Sequence, residues 1–329
     1  MHIPVLQKEV IRYLGPKPNE NFIDATFGEG GHGLKILEMI KPQGKLLGIE
    51  IDPELYEITK NRLEKENPKI FERLILVNES YLNLPRVIEK HQFRPIHGVL
   101  LDLGMSLWHI KESKRGFSFQ RDEPLDMRFN PQTNRLTAFE IVNYWEKEKI
   151  EKILRDFGEE QFAKKIAENI EEARKIKPIR TTFDLIKIIQ ESIPSALQRK
   201  LKIHPATKTF QALRIAVNRE LSNLEETLTF LPKILEKGAK IVIISFHSLE
   251  DRIVKKKFLE AKEKGLLKIL TKKPVVPTEE EIIQNPSSRS AKLRAAQIIC
   301  QKRNSIKYGN YLFLSQFCLV VYIFFKFPI

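Results

Sequence analysis

Cysteine is nearly missing from this chain: Cys300 and Cys318 are the only two in 329 residues. Two thiols build neither a disulfide framework nor a four-thiolate zinc site, so a reducing compartment and no metal are expected. Glycine (14) and proline (18) together make about a tenth of the residues, while 42% are apolar. That balance excludes collagen-like, low-complexity and disordered classes. The opening MHIPVLQKEVIRYL has no basic stretch leading into a long apolar run, so no secretory leader is expected and a cytoplasmic location is. A single long apolar stretch does occur, at 311–329, where 15 of 19 residues are apolar or aromatic. Ser315, Gln316, Lys326 and Pro328 interrupt it, and a bilayer-crossing helix needs about 20 mostly apolar residues. A docked or disordered tail is therefore expected ahead of a membrane anchor.

Acidic residues are also in deficit, 42 against 56 lysines and arginines. The surplus is localised: residues 251–310 hold 15 basic and 6 acidic side chains. Clustering of this kind is the electrostatic footprint of a polyanion-binding surface, and a solvated lysine-rich face is the alternative.

What is present is an alternation of short apolar runs with helical stretches. Phe22–Thr26, Leu46–Ile51, Leu74–Val77 and Gly98–Asp102 read as buried strands, with helices expected at 33–41, 53–66 and 82–91. Asp52-Pro53 is an N-cap followed by proline at the first helical position. Strands separated by crossover helices imply an α/β fold with a parallel, doubly wound, Rossmann-like sheet. From 106 to 205 the strand rhythm stops, and EEQFAKKIAENIEEARK (159–175) puts Phe162, Ile166, Ala167 and Ile170 on one helical face. A helix over 207–231, a strand at 239–246 and possible strands at 267–276 and 293–300 follow. The organisation expected is one α/β domain in two parts, 1–105 and 206–303, interrupted by an inserted helical domain at 106–205 and followed by a hydrophobic tail at 304–329.

GEGGHG at 28–33 fits G-x-G-x-x-G directly after the first strand and before a helix. That fingerprint alone does not choose between a nicotinamide cofactor and S-adenosylmethionine, since both lay an adenosine across the same crevice. Asp52 suits ribose hydroxyls in either case. Asp24, four positions before Gly28, discriminates: a carboxylate there repels a pyrophosphate and attracts an ammonium and a sulfonium. The methyl donor is favoured, with a structural cap on the glycine loop as the alternative role for Asp24. His32 reads equally as a loop-orienting residue or a ligand contact. Asp102, closing the fourth strand, suits an amine of the substrate or the adenine. Tyr81 is placed to flank the adenine, unless it simply packs.

With these residues in view the sequence resembles the ribosomal RNA small subunit methyltransferase H family, also called MraW, from HIPVL (2–6) to about Ala295. The words that carry the likeness are DATFGEGGH (24–32), RGFSF (115–119), PLDMR (124–128), HPATKTFQALRIAVN (204–218), SFHSLEDR (245–252) and RSAKLR (289–294). The resemblance implies S-adenosylmethionine-dependent methylation of N4 of a cytidine in the decoding region of 16S rRNA, within the small ribosomal subunit, with no DNA partner. By position it puts cofactor contacts on Gly31, His32, Gly33, Asp52, Tyr81, Asp102 and His109. His109 departs from the family pattern, which usually has a glutamine there; the surrounding Met105-Ser106-Leu107-Trp108 is also atypical, as is the tail.

Methyl transfer from a sulfonium needs mainly alignment and desolvation, together with an acceptor for the amine proton. Asp102 is the candidate acceptor, with a backbone carbonyl or water as alternatives. No catalytic cysteine is needed, in keeping with an exocyclic nitrogen target. A base turned out of folded RNA is held by aromatic or guanidinium planes. Trp108, Arg115, Phe117 and Phe119 offer such planes, with helix packing as the alternative for both phenylalanines. His247 is expected to shape the substrate mouth or to be a buried structural histidine. The rival functions are a methyltransferase acting on DNA or free RNA, and a non-catalytic RNA-binding assembly factor, with hydride transfer a distant third.

Overall fold

The computed structural model describes residues 4–200 and 203–300. The hydrophobic tail 304–329, its Cys318, and the last ten residues of the basic stretch lie outside the described residues. Seven strands form one sheet in the order β3-β2-β1-β4-β5-β7-β6: β1 Phe22–Asp24, β2 Leu46–Glu50, β3 Leu74–Asn78, β4 Gly98–Asp102, β5 Lys240–Ser245, β6 Leu267–Ile269 and β7 Lys292–Ile298. β1 to β5 run parallel, and β7 inserts antiparallel between β5 and β6.

Side chains on a strand point alternately to opposite faces, and here both faces are covered. Ile23, Leu47, Ile49, Val99, Leu101, Ile241 and Ile243 join one core, under the helices Leu84–Lys90, Glu220–Ile234 and Ser248–Glu263. Phe22, Leu46, Leu100, Val242 and Ile244 join the other, under Gln7–Leu14 and Gly31–Met39. The order in which strands are added reverses between β1, from which the sheet grows through β2 to β3, and β4, from which it grows the other way to β5. A doubly wound sheet opens its ligand crevice at the carboxyl ends of the strands at such a point.

A third core belongs to the helical segment. Ile141, Ile150, Leu154, Ile166, Ile170, Leu185 and Ile189 meet there, and Ile166, Ala167 and Ile170 are buried as their spacing predicts. The core also takes in Phe210, Leu213 and Val217, so the helix Thr207–Asn218 packs with this layer rather than with the sheet.

The single helix expected at 207–231 is broken. Arg219 sits in the left-handed region at φ 53°, its N–H bonding the Ile215 carbonyl, and a second helix, Glu220–Ile234, starts there. Asn218 explains the turn: its Nδ2 donates to the Met127 carbonyl at 2.7 Å, and its Oδ1 accepts from Phe129 N at 2.8 Å. The strand expected over 267–276 is regular only across Leu267–Ile269, and the chain meets β7 again at a single antiparallel bridge between Val275 and Leu293. Among the described residues no helix is long and apolar enough to cross a membrane.

Candidate cofactor crevice and amine acceptor

The glycine loop between β1 and the helix Gly31–Met39 is held from below. Thr59 Oγ1 donates to the Gly28 carbonyl at 3.0 Å and Arg62 Nη2 to the Glu29 carbonyl at 2.5 Å. Both come from the helix Pro53–Glu66. A Cβ on Gly33 would stand 2.4 Å from the Phe27 ring, so only glycine lets this helix seat on the loop. Gly28 and Gly104, both at positive φ, are uncrowded: an added Cβ would meet nothing nearer than 4.0 Å and 3.6 Å respectively.

Three titratable side chains lie near one another at the neighbouring ends of β1 and β4 and the start of the helix Gly31–Met39. Asp24 is buried at the end of β1, its Oδ1 accepting from Thr26 N at 3.2 Å. Burial pushes its carboxyl up to about 6, against the pull of His32. His32, in the first helical turn and 6% exposed, places Nε2 3.5 Å from Asp102 Oδ2. Burial disfavours its charged form, but Asp102, Asp24 and Glu281 outweigh this and raise it above the ordinary imidazole value. Neither ring nitrogen of His32 nor Oδ1 of Asp102 has a hydrogen-bond partner. Buried polar atoms are almost always paired, so three unmatched ones in one pocket mark a place for a ligand. The donor set fits S-adenosylmethionine: two carboxylates suit its ammonium and sulfonium, beside a cradle kept open by glycine.

Asp52 is placed differently from its expected role. It is fully buried as the N-cap of Pro53–Glu66, with Oδ1 accepting from Glu54 N at 2.9 Å. Oδ2 is taken by Arg115 Nη1 at 2.6 Å and by His109 Nε2 at 3.1 Å. Oδ1 also accepts from Leu55 N at 3.4 Å and Arg115 Nη2 at 3.3 Å, so each oxygen already takes two or more donors. His109 is equally committed, since its Nδ1 accepts from Ser106 N at 3.2 Å. Nε2 therefore carries the proton and donates to Asp52, and burial holds the ring below its usual pKa.

The carboxylate at the end of β2 is Glu50. Its Oε2 accepts from Gly28 N at 2.9 Å and its Oε1 from Asp52 N at 2.8 Å. Burial pushes it up to about 7. The sequence signal for it was the last position of the strand itself; the proline after Asp52 had already marked that residue as a cap.

The aromatic candidates divide. Trp108 is buried edge-on to His109, with Arg115 over its ring at 5.5 Å. Phe117 stacks on Phe129 at 5.4 Å inside the helical core. Arg115 is anchored by Asp52, Glu54 and the carbonyls of Arg128 and Phe129. Phe119 remains half-buried, stacked on His204 at 4.6 Å with the rings 6° apart. Tyr81 packs beside Ile75 and Val77, its hydroxyl raised above the ordinary phenol range first by burial and then by Glu220 and Glu250.

His247 is the N-cap of Ser248–Glu263, where its Nδ1 accepts from Glu250 N at 3.4 Å. Its Nε2 is unpaired and 3.4 Å from Glu250 Oε1. Burial, then Arg214, pushes His247 down to about 3, and burial pushes Glu250 up to about 7. Sequence reasoning missed the partner of this group: Arg214 binds Glu220 through Nε at 2.9 Å and Nη2 at 3.0 Å. Glu220, His247 and Glu250 bring one ligand atom each within 4.8 Å. The Arg214 guanidinium is bonded to Glu220 and bears electrostatically on His247 and Glu250.

The model of the MraW methylase family matches residues 1–299. Ribosomal RNA small subunit methyltransferase H of Thermotoga neapolitana is 45% identical over 300 residues, covering 91% of this chain and 96% of that one. The protein of the same name from a Sulfurihydrogenibium species is 46% identical over 298 residues, covering 91% and 99%. The one from Halothermothrix orenii is 43% identical over 311 residues, covering 90% and 98%.

Proposed function

The chain belongs to the MraW methylase family, and from that premise we propose that it methylates N4 of a cytidine in the decoding region of 16S rRNA, acting on the small ribosomal subunit in the cytoplasm. S-adenosylmethionine is the cofactor and supplies an electrophilic methyl carbon on a sulfonium. The observation that carries the reading is the group at the strand ends beside the glycine loop, where His32 and Asp102 leave buried polar atoms unpaired next to the buried carboxylate of Asp24.

Each residue then has a task. Gly31, His32 and Gly33 form the helix start that walls the cofactor, and Asp24 faces its positive groups. Glu50, at the end of β2, takes the ribose position; Asp52 and His109 hold the wall from behind. Tyr81 bounds the adenine side. Asp102 Oδ1 accepts the hydrogen bond of the target amine. Phe119 with His204, and His247 with Phe246, border the substrate side, Phe246 standing against Gly104 across the ends of β4 and β5.

The basic helix Ser248–Glu263 supplies phosphate contacts. Lys257 is not a free contact, being 15% exposed and paired with Glu225 at 3.1 Å, so the outward-facing Lys255 and Lys256 are the pair to reverse. Changing both to glutamate weakens subunit binding and lowers the slope of log affinity against log salt by about 2, leaving cofactor affinity unchanged. A filter-binding salt titration measures it.

The deciding experiment is nucleoside mass spectrometry of 16S rRNA from cells with and without the gene, joined to transfer of labelled methyl by the purified protein. Loss of N4-methylcytidine and transfer to small subunits support the reading. Efficient transfer to naked DNA or protein-free RNA favours the broader methyltransferase, and RNA binding without cofactor turnover an assembly factor.

A further inference from the structure

Almost every aromatic ring of this protein is covered. Among the described residues only two phenylalanine, tyrosine or tryptophan side chains are exposed, Tyr144 at 72% and Phe183 at 48%. Both flank one short segment of the helical layer, 177–181, which joins the helix Ala163–Ile176 to the helix Thr182–Ser192. Tyr144 ends the helix Ala138–Tyr144, whose Asn143 brackets Ile179, donating to its carbonyl and accepting from its N–H, both at 2.9 Å. Phe183 lies in the first turn of Thr182–Ser192, its N–H donating to Asp122 Oδ1 at 3.2 Å.

The backbone between the two rings is fixed. Arg180 donates its N–H to Asp184 Oδ2 at 3.1 Å, and its carbonyl accepts from Leu125 N at 3.1 Å. The Tyr144 ring stands edge-on to Phe139 at 5.9 Å, and Arg174 Nη1 bonds the carbonyls of Val142 and Trp145 on either side of it. Rings held on so rigid a frame lose little freedom when something stacks on them. The charge around them has one sign: residues 174–183, RKIKPIRTTF, carry four basic side chains and no acidic one. Arg180 is exposed, and among the described residues its guanidinium forms no ion pair. Lys175 and Lys177 sit in surface pairs with Glu172 and Asp184, contacts weak enough to exchange for phosphate. Flat aromatic faces beside an unpaired guanidinium on a basic rim match unpaired bases and the phosphates that join them.

We propose that this rim of the helical layer docks a single-stranded stretch of the small subunit's rRNA, with Tyr144 and Phe183 stacking on bases and Arg180 contacting phosphates. This rests on the small-subunit reading above. The rim shares no residue with the cofactor crevice, yet it is tied to the loop that borders the substrate side. Thr182 Oγ1 donates to the Arg121 carbonyl at 2.6 Å, and Glu123 Oε2 accepts from Gly116 N at 3.0 Å. The chain from Gly116 to Glu123, which carries Phe119 and its stack on His204, therefore links the two places. The rim supplies affinity and register; it touches neither the methyl donor nor the target amine.

The test compares the full-length wild type with Tyr144→Ala combined with Phe183→Ala, with Arg180→Gln, and with the ring-preserving pair Tyr144→Phe and Phe183→Tyr. Thermal melting checks the folding of each. Affinity for purified small subunits is read by filter binding, methyl transfer at varied subunit concentration, and S-adenosylmethionine affinity by calorimetry. The alanine pair is expected to bind subunits about 10-fold or more weakly and to raise their KM in proportion, with kcat and cofactor Kd changed by less than about 2-fold. Arg180→Gln is expected to lower the slope of log affinity against log salt by about 1. The ring-preserving pair binds as wild type does. Unchanged affinity in the alanine pair overturns the proposal, as does an equal loss in the ring-preserving pair. A photoreactive benzophenone analogue in place of Phe183 identifies what lies on the rim: crosslinking to rRNA supports the proposal, and crosslinking to a ribosomal protein overturns it in favour of a protein partner. The two readings fail separately. Wild type that binds subunits but transfers no methyl removes the function and leaves the surface, whereas normal transfer with unchanged affinity in the alanine pair removes the surface and leaves the function.

Discussion

Two histidine–aspartate pairs lie on either side of the same strand ends, and they are built to opposite plans. In the His109–Asp52 pair every polar atom is spoken for: a helix cap, an arginine and a backbone N–H close all valences. In the His32–Asp102 pair both ring nitrogens and one carboxylate oxygen are buried with nothing to bond. Burying an unmatched polar atom costs about 1–3 kcal/mol, so three of them on one histidine–aspartate pair favour a ligand there. Residue type does not separate the two pairs. Their hydrogen-bond completeness does, assigning one to the framework and the other to the chemistry.

The largest effect that tests this contrast comes from the closed pair. Asp52→Ala leaves Arg115 and His109 without their anion and is expected to lower unfolding stability by about 3–5 kcal/mol. Urea denaturation reads this directly. His109→Gln retains a donor to Asp52 and is expected to cost less than about 1.5 kcal/mol. If Asp52→Ala weakens cofactor binding while stability stays constant, the contrast collapses.

Glu50→Gln gives an intermediate effect of the opposite kind. The variant is expected to bind S-adenosylmethionine about 1–3 kcal/mol more weakly by calorimetry, since charge-assisted bonds to ribose are lost. Stability is expected to fall as well, by about 1–3 kcal/mol, because the amide nitrogen cannot accept from one of the two backbone N–H groups, Gly28 and Asp52, that the carboxylate serves.

The smallest effect concerns a third pair, His247–Glu250. The Glu250 carboxyl titrates near 7 in the folded protein, against 4.5 for an unperturbed glutamate. The folded state therefore holds a proton that the unfolded chain releases, and this group's contribution to stability falls as pH rises from about 4.5 through 7. Glu250→Gln lacks the titration. Wild-type stability relative to the variant should decline by about 1–2 kcal/mol between pH 5 and pH 8 in parallel denaturation series.

Those features that depend on local pattern were legible in the chain. β1 to β4 stand where apolar runs predicted them, because strands covered on both faces read as continuous apolar sequence. The positions of the glycine loop after β1 and of Asp102 at the end of β4 follow from the same pattern. Asp52 misled because two signals met on one residue: it is acidic near the end of β2, and it is the cap of the next helix. A single carboxylate already shared among the cap, Arg115 and His109 is committed to the second role. Trp108 and Phe117 carry no local mark of facing inward, since their burial is decided by Arg115 and Phe129, distant in the chain. The break at Arg219 depends on Asn218 reaching back to Met127 and Phe129. Arg214 with Glu220 is visible only once that break has folded the two helices together.

The pairing of β4 with β5 also sets a timetable. Gly98 lies opposite Lys240, so the whole helical layer is threaded between two neighbouring strands. Closing so long a loop is entropically cheap, because each doubling of length adds only about 0.6 kcal/mol, but it is slow to happen by chance. On a ribosome adding about 5–20 residues per second, β4 waits on the order of ten seconds for its partner. During that interval Val99, Leu100 and Leu101 form an open, apolar edge of a half-built sheet. The helical layer, whose contacts are more local, is the part free to condense in the meantime. Synthesis of this enzyme therefore passes through a stage in which its sheet needs shelter from other nascent chains, and the rate of translation through the helical segment sets how long that stage lasts.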